Sequence, residues 1–237
     1  MALPKLTTPT YELEVPSTDE KIKYRPFLVK EEKILLIALE SGENKDIVQA
    51  VKSIVAECTF NKFKVGDMPM FDVEYIFLQI RAKSVGEVST MRVLCKDDGK
   101  TYATVEIDLN EVQVQVSDEH TNKIELSDDM GVIMKYPSID SFAEGGIDNI
   151  TPSNMIDVVA NCIAQIYDKG GEDVYDAKDS TKKEKVEFIE QMNTKQFAEM
   201  QAFFDTMPSL KHTFTVKNPK TKVESEVTLS GLNDFFE

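Results

Sequence analysis

The stretch IKYRPFLVKEEKILLIALES, residues 22–41, changes from the alternating pattern of a strand to the periodicity of a helix. Alternation predicts a strand up to Pro26, which ends it because proline lacks the backbone N–H that a sheet uses. Residues 30–40 then predict a helix, which the pair Ser41-Gly42 brings to an end. Strand and helix follow each other directly, and this order predicts an α+β fold.

Strand-like alternation returns in three other parts of the chain. Residues 10–15 lie before the turn-forming PSTDE and predict an N-terminal hairpin with the strand above. Residues 88–109 hold two alternating runs around Asp98-Gly99, a strong hairpin signal because glycine takes positive φ at little cost. The runs around NPKTK predict a closing C-terminal hairpin. Shorter strand-like runs between them extend the middle into a small antiparallel sheet: residues 112–116, 123–126 and 132–136.

Helical periodicity accounts for most of the remaining chain. Residues 45–58 carry one apolar stripe, and residues 69–84 have the centre YIFLQI, which is apolar on nearly all sides. After the β-rich part, Thr151-Pro152 predicts a helix start, and its stripe is expected to continue through Ile163 and Ile166. Two more helices follow. Thr181 with Glu184 forms a capping box that predicts the start of the first, and the second begins at Thr194 and is ended by Pro208.

Together these elements predict a helical core with N- and C-terminal β-hairpins and a central small antiparallel β-insert. The 237 residues suffice for a sizeable core. We expect a hairpin with helices in residues 1–87, the β-rich insert in residues 88–137, and helices with the closing hairpin in residues 138–237. The first and third segments are expected to form one domain.

Composition restricts the class of partner. The chain has 42 acidic against 27 basic residues, a formal net charge of −15, so we expect no nucleic-acid partner because a polyanion would be repelled. The first residues lack the basic and apolar pattern of a signal peptide, and no apolar run reaches the length of a membrane span. We therefore expect a protein of the cytoplasm that has no membrane partner.

Residue types that carry chemistry do not form a recognisable site. His120 and His212 lie far apart in sequence, and a nucleophilic site needs a base and an orienting partner together. The three cysteines, Cys58, Cys95 and Cys162, show neither metal-ligand spacing nor a disulfide framework. We expect no metal, no cofactor and no catalytic residue. An enzyme with an unrecognised carboxylate pair stays open as an alternative.

Apolar residues exceed what one stripe per helix requires. The excess lies in residues 34–39, in residues 75–80 and in the terminal pair Phe235-Phe236. Two interpretations stay open, since the helices either bury one another or offer part of this surface to another chain. On the second interpretation we predict six partner-binding residues: Tyr24, Phe27, Leu36, Phe77, Phe235 and Phe236.

Four stretches carry a family resemblance: residues 9–42, residues 57–87, VEIDLNEVQV at 105–114 and TLSGLNDFF at 228–236. In these stretches, and in the order of hairpin, helices, β-insert, helices and closing hairpin, the chain resembles the baseplate hub proteins of T-even-type contractile-tailed bacteriophages. The resemblance spans most of the chain and is weakest in residues 118–148 and 168–179.

The resemblance implies a non-enzymatic protein of tail morphogenesis. Such a protein is a late product made in the cytoplasm of the infected host, acts in baseplate and tail assembly, and becomes part of the virion. Its implied partners are other baseplate hub or tail proteins, and a homo-oligomer is a further option. The family includes hub subunits and hub-assembly factors. A transient assembly chaperone that leaves before the particle matures therefore stays open as an alternative.

Overall fold

The predicted N-terminal hairpin opens the fold, with β1 (Tyr11–Glu14) antiparallel to β2 (Lys21–Tyr24). Three helices follow it: α1 (Val29–Ser41), α2 (Asn44–Cys58) and α3 (Met70–Val85). The first of them ends as predicted, because Gly42 adopts a left-handed conformation and its N–H bonds the carbonyl of Leu39. This computed structural model describes residues 6–143, 154–168, 174–231 and 234.

A second hairpin and a three-stranded sheet follow α3. The hairpin pairs β3 (Val88–Leu94) with β4 (Tyr102–Asp108) around a turn in which Gly99 has a φ of 61°, as the sequence predicts. The sheet has the order β11-β10-β5 and consists of β5 (Gln113–Gln115), β10 (Ser209–Lys217) and β11 (Glu224–Ser230). The closing hairpin predicted around NPKTK is the antiparallel β10–β11 pair.

An apolar core joins α3 to this hairpin and this sheet. Leu78 and Ala82 of α3 pack in one cluster with Met91 and Ile107 of the hairpin and with Leu210 of the sheet. The centre YIFLQI is buried on several sides, as its composition predicts. None of the helices in the described ranges combines the length and the hydropathy that a bilayer span requires.

The residues between β5 and β10 form a separate sheet with helices. Its strands lie in the antiparallel order β6 (Lys123–Glu125), β7 (Met130–Met134), β8 (Ile163–Asp168) and β9 (Val174–Asp176). The described helices here are α4 (Ile139–Ala143), α5 (Met155–Cys162), α6 (Lys182–Glu190) and α7 (Thr194–Thr206). The capping box of α6 is confirmed, because the Glu184 N–H donates to the Thr181 hydroxyl at 3.2 Å and the Thr181 N–H donates to the Glu184 carboxylate at 2.7 Å.

The strands of the predicted β-insert belong to three sheets instead of one. β3 and β4 form a two-stranded sheet, β5 joins the closing hairpin, and β6 and β7 join β8 and β9. The helical stripe expected through Ile163 and Ile166 is wrong, because α5 ends at Cys162 and both isoleucines lie in β8 opposite β7. The helix start expected at Thr151-Pro152 lies outside the described residues. The α+β class itself is confirmed.

Two compact units make up the chain. Unit 1 combines Met1–Gln115 with Ser209–Glu237, and unit 2 is Val116–Pro208. The chain leaves unit 1 after Gln115 and returns to it at Ser209, and these two residues face each other in the β5–β10 pair. These boundaries differ from the segment boundaries expected at residues 87 and 137, and the predicted division into domains stays a prediction.

Candidate functional site

The first helix, α1, is packed against unit 1 along one narrow side. Glu31, Leu35 and Ala38 are its buried residues, and their spacing places them on the same side of the helix. The opposite side carries large aliphatic side chains that contact solvent, with exposures of 80%, 54% and 57% for Val29, Leu36 and Ile37. Exposed aliphatic residues that collect on one helix face are typical of a surface that another protein covers.

Five exposed residues define this surface, which we call the α1 face: Val29, Lys33, Leu36, Ile37 and Glu40. They occupy positions i, i+4, i+7, i+8 and i+11, which lie on one side of an α-helix. The adjacent residues Leu36 and Ile37 form its apolar centre. Lys33 stands one turn before this centre and Glu40 stands one turn after it. The α1 face is therefore an apolar strip with one charge of each sign.

A buried ion pair fixes the start of α1. Arg25 follows β2 and donates from Nη2 to Oε1 of Glu31 at 2.8 Å, while the Leu28 N–H donates to Oε2 of the same carboxylate at 2.8 Å. The Arg25 N–H in turn donates to the carbonyl of Cys58, the last residue of α2, at 3.0 Å. These bonds join the end of β2 to α1 and α2, so the position of α1 relative to both elements is fixed.

Charge is favoured on both partners of this pair. Burial raises the pKa of the Glu31 carboxyl, but hydrogen bonds from Arg25, from the Leu28 N–H and from Lys30 outweigh it and lower the pKa to about 2. Burial opposes the charge of Arg25, yet its hydrogen bond to Glu31 raises the pKa of the guanidinium. Both groups are charged at neutral pH, and Glu31 acts as an anchor for α1 instead of a reactive acid.

The turn after α2 exposes an aromatic side chain. Phe60 and Asn61 have φ values of 60° and 55°, a region that bulky side chains rarely adopt. Phe60 is nevertheless 55% exposed. The turn lies near the start of α1, because Lys30 pairs with Glu57 at 3.7 Å. Phe60 thus adds apolar surface at this end of unit 1, and no pattern in the sequence marks it as exposed.

Leu36 is the predicted partner-binding residue that the structure places on the α1 face. Phe27 is half-buried, and its N–H donates to the Ser84 hydroxyl at 2.9 Å, which ties it to the end of α3. Phe235 and Phe236 lie outside the described residues. The structure thus brings Leu36 together with Val29 and Ile37 instead of with the predicted aromatic residues.

Two of the predicted partner-binding residues are buried in the structure. Tyr24 is 2% exposed, because alternation along β2 turns it inward while Lys23 faces solvent. Phe77 is 0% exposed, because it lies in the middle of α3, whose neighbours cover it on all sides. Neither ring offers surface to a partner, and both stabilise unit 1 by burial.

Sequence reasoning did not single out four residues of the α1 face: Val29, Lys33, Glu40 and Ile37, which it included only within the apolar residues 34–39. A signal was present, since all four lie one or two turns from Leu36 or directly beside it. It was not decisive, because residues 34–39 are apolar on every side and the pattern does not show which side is covered. Only the buried positions of Leu35 and Ala38 reveal the free side.

His120 is half-buried in unit 2, with both ring nitrogens engaged. Nδ1 lies 3.0 Å from the Thr206 hydroxyl oxygen and Nε2 lies 3.0 Å from the Tyr136 hydroxyl oxygen. The ring also packs against Phe203, with centroids 5.2 Å apart. Burial lowers the pKa of His120, which favours the neutral imidazole. These contacts describe a histidine that holds unit 2 together.

The cysteines are buried, and their thiols are held in the unreactive form. Burial raises the pKa of Cys58 to about 11 and that of Cys162 to about 12. The thiolate is the nucleophile and the metal ligand, so these shifts oppose both kinds of chemistry. Within the described ranges, no three His, Cys, Asp or Glu side chains come together as metal ligands do.

An open groove of about 750 Å³ lies in unit 2 between β6 and α7. Leu126 and Phe203 contribute apolar surface to it, while Lys123, Lys195 and Glu199 place both signs of charge around it. Glu119, Glu125 and Asp128 also line the groove, so acidic side chains outnumber basic ones there. Among the described residues they form no cluster of metal ligands, and the α1 face is the better candidate site.

A family model described as T4 bacteriophage base plate protein matches residues 8–237. The chain belongs to this family. Comparison with curated proteins and with solved structures finds no match. The match to the family model confirms the resemblance to phage baseplate proteins seen in the sequence. A baseplate protein has its place in the tail of the phage and interacts with other baseplate proteins, which agrees with an exposed apolar surface such as the α1 face.

Proposed function

We propose that this baseplate protein is a non-enzymatic component of the baseplate hub, which acts in tail assembly by docking a tail protein on the α1 face. The observation that carries the proposal is that α1 buries one side and leaves Val29, Leu36 and Ile37 on the other side in solvent. Covering these side chains removes apolar surface from water, which drives association.

The anchoring of α1 supports a docking role. Association loses less free energy when the surface is already in its bound conformation. Arg25 and Glu31 provide this preorganisation, because their buried ion pair links α1 to the end of β2. The hydrogen bond from the Arg25 N–H to the Cys58 carbonyl connects the end of α2 to the same ion pair.

The placement of the acid with a raised pKa supports a role without catalysis. Burial raises the pKa of Asp72 to about 6, partly offset by hydrogen bonds from the Ser17 hydroxyl and the Ser17 N–H. A raised pKa suits a general acid, but such an acid has to reach the substrate. Asp72 is 0% exposed and bonds the turn between β1 and β2, so its carboxylate serves the fold.

Leu36→Asp tests the docking role. We expect the variant to fold, because Leu36 is 54% exposed, and to lose co-purification with tail proteins from infected cells. Val116→Asp is the matched control, since Val116 is 60% exposed and lies outside α1. Circular dichroism and thermal unfolding confirm folding of both variants. Retained co-purification by folded Leu36→Asp would overturn the proposal.

Mass spectrometry of purified virions tests the place of the protein in the hub. A hub component made in the host cytoplasm and built into the particle is expected in the virion at a fixed ratio to other baseplate proteins. Presence in assembling cells together with absence from mature virions contradicts a permanent component. That result would instead favour an assembly factor that leaves the particle.

A further inference from the structure

We propose that the partner seated on the α1 face is a second copy of the same chain, held in an antiparallel helix pair about a two-fold axis. This inference rests on the proposed function, because it names the occupant of the same surface. It is carried by the arrangement of charge and apolar side chains along α1, which is complementary to itself when one helix is reversed.

The centre of the pattern lies between Leu36 and Ile37. Within KILLIALE, residues 33–40, the basic Lys33 and the acidic Glu40 lie at equal distances on the two sides of this centre. In an antiparallel pair centred there, a residue before the centre faces the residue equally far after it in the partner. Lys33 of each copy therefore faces Glu40 of the other, and two ion pairs flank one apolar centre.

Neither charged residue is satisfied within its own helix. Lys33 and Glu40 are seven positions apart, which is about 10 Å along the helix axis and too far for an ion pair across two turns. In the described part of the chain neither side chain has an ion-pair partner, and both are exposed. Both are therefore available to a partner without breaking an existing contact.

The same pattern selects the antiparallel orientation. A parallel pair in register would place Lys33 beside Lys33 and Glu40 beside Glu40, and like charges at close range repel. In the antiparallel pair the exposed Glu32 is at the level of the uncharged Ser41, and Lys30 is already paired with Glu31 and Glu57 of its own chain. Leu36 and Ile37 then meet their counterparts at the centre, directly opposite the side that α1 buries.

The size of the face predicts a reversible dimer. One face of a 13-residue helix is small beside the surfaces that stable dimers bury. We therefore expect dissociation in the micromolar range, and association that weakens as salt screens the exposed ion pairs. A contact of this strength suits a component that exchanges partners while a larger particle is assembled.

Sedimentation equilibrium of the full chain at several concentrations tests the inference. We expect the average mass to rise from 26.8 kDa toward twice that value with concentration. Lys33→Glu and Glu40→Lys are each expected to remain monomeric, because each places like charges opposite one another. The double variant Lys33→Glu/Glu40→Lys restores opposite charges and is expected to dimerise as the original chain does.

Mixing the two single variants gives a second readout that does not depend on the double variant. Each single variant then offers two like charges, of opposite sign to those of the other, so a heterodimer is expected from two monomers. A monomeric original chain at every concentration, or single variants that dimerise unchanged, would overturn the inference.

Failure here is distinguishable from failure of the proposed function. If the charge variants have no effect on mass while Leu36→Asp still abolishes co-purification, the α1 face docks a different tail protein. The proposed function then stands and the self-pairing is rejected. If Leu36→Asp leaves both mass and co-purification unchanged, the α1 face is no interface, and both proposals are rejected.

Discussion

At the scale of single residues, Glu31 anchors the helix that carries the α1 face to the interior of unit 1. Its carboxylate is 2% exposed and accepts hydrogen bonds from Arg25 and from the Leu28 N–H. Removing one partner of a buried pair leaves the other charge without compensation. The position of the start of α1 therefore depends on this ion pair.

Glu31→Ala is expected to lower the free energy of unfolding by about 3 kcal/mol, because Arg25 stays charged with its partner gone. Glu32→Ala is the matched control, since Glu32 is the exposed neighbour, and its effect should stay below about 0.5 kcal/mol. Urea unfolding at neutral pH measures both. Equal effects of the two substitutions would show that the ion pair contributes nothing to stability.

Asp72 gives stability a pH dependence with the opposite sign to that of a salt-bridged acid. Burial raises its pKa in the folded state to about 6, above the ordinary value for an aspartate of about 3.9. Between these values the folded chain holds a proton that the unfolded chain has released. Stability from this group is therefore complete below pH of about 4 and is lost as pH rises through about 6.

Asp72→Asn is expected to remove this dependence, because the amide stays neutral at every pH. The difference in unfolding free energy between the original chain and the variant should shift by about 2 kcal/mol between pH 4 and pH 7, in favour of the variant at the higher pH. Denaturant unfolding at a series of pH values measures it. Parallel curves for the two proteins contradict a buried, proton-binding Asp72.

The sequence predicted turns and helix caps more reliably than it predicted which side chains are exposed. Gly42, Gly99 and the capping box of Thr181 were predicted correctly, because each depends on neighbours within a few positions. Tyr24 and Phe77 were predicted as partner-binding residues and are buried, because exposure depends on residues far away in the chain. The α1 face was for the same reason found only in part.

At the scale of elements, β8 shows where sequence reasoning fails. Ile163 and Ile166 continue the spacing of the preceding helix, so periodicity alone assigns them to it. In the structure they lie in β8, between β7 and β9. β-branched side chains tolerate either state, and long-range pairing decides between them. That pairing leaves no mark within a window of a few residues.

The β7–β8 pair depends on a glycine that allows a close approach. A Cβ atom at Gly131 would lie 2.2 Å from the Tyr167 hydroxyl oxygen and 2.8 Å from the Ile124 carbonyl oxygen. Gly131→Ala is therefore expected to destabilise the protein by about 1–3 kcal/mol through overpacking. Thermal unfolding with a fitted enthalpy measures the change.

A double-mutant cycle with Tyr167→Ala isolates the cause. In the Tyr167→Ala background the aromatic ring is gone, so the effect of Gly131→Ala should shrink to what the Ile124 carbonyl alone imposes. An unchanged effect in that background would mean that the ring is not what confines Gly131.

At the scale of the whole molecule, unit 2 is an insertion into unit 1. Gln115 and Ser209 face each other in the antiparallel β5–β10 pair, although 93 residues of unit 2 lie between them. Both units have their own apolar clusters and their own sheets. The predicted segments followed changes of pattern along the chain, and a return of the chain to a neighbouring strand produces no such change.

Replacing residues 116–208 by Asn-Gly is expected to give a folded unit 1, because a two-residue turn of this type joins antiparallel neighbours. We expect cooperative thermal unfolding and retained α-helical circular dichroism from α1, α2 and α3. The matched control replaces residues 115–208 by Asn-Gly, which deletes one residue more and removes Gln115 from its pairing with Ser209. Equal, non-cooperative melting of both variants would contradict two separable cores.

The outer strand of the three-stranded sheet has a consequence for whether copies of this protein associate through their sheet edges. β11 lies at the edge, and its exposed Glu224 and Glu226 place carboxylates along the rim where a foreign strand would add. Charged side chains on an edge strand oppose pairing with a second strand edge, so growth of fibres through strand addition is disfavoured. The charged edge of this sheet thereby protects the fold from the strand addition through which exposed β-edges aggregate.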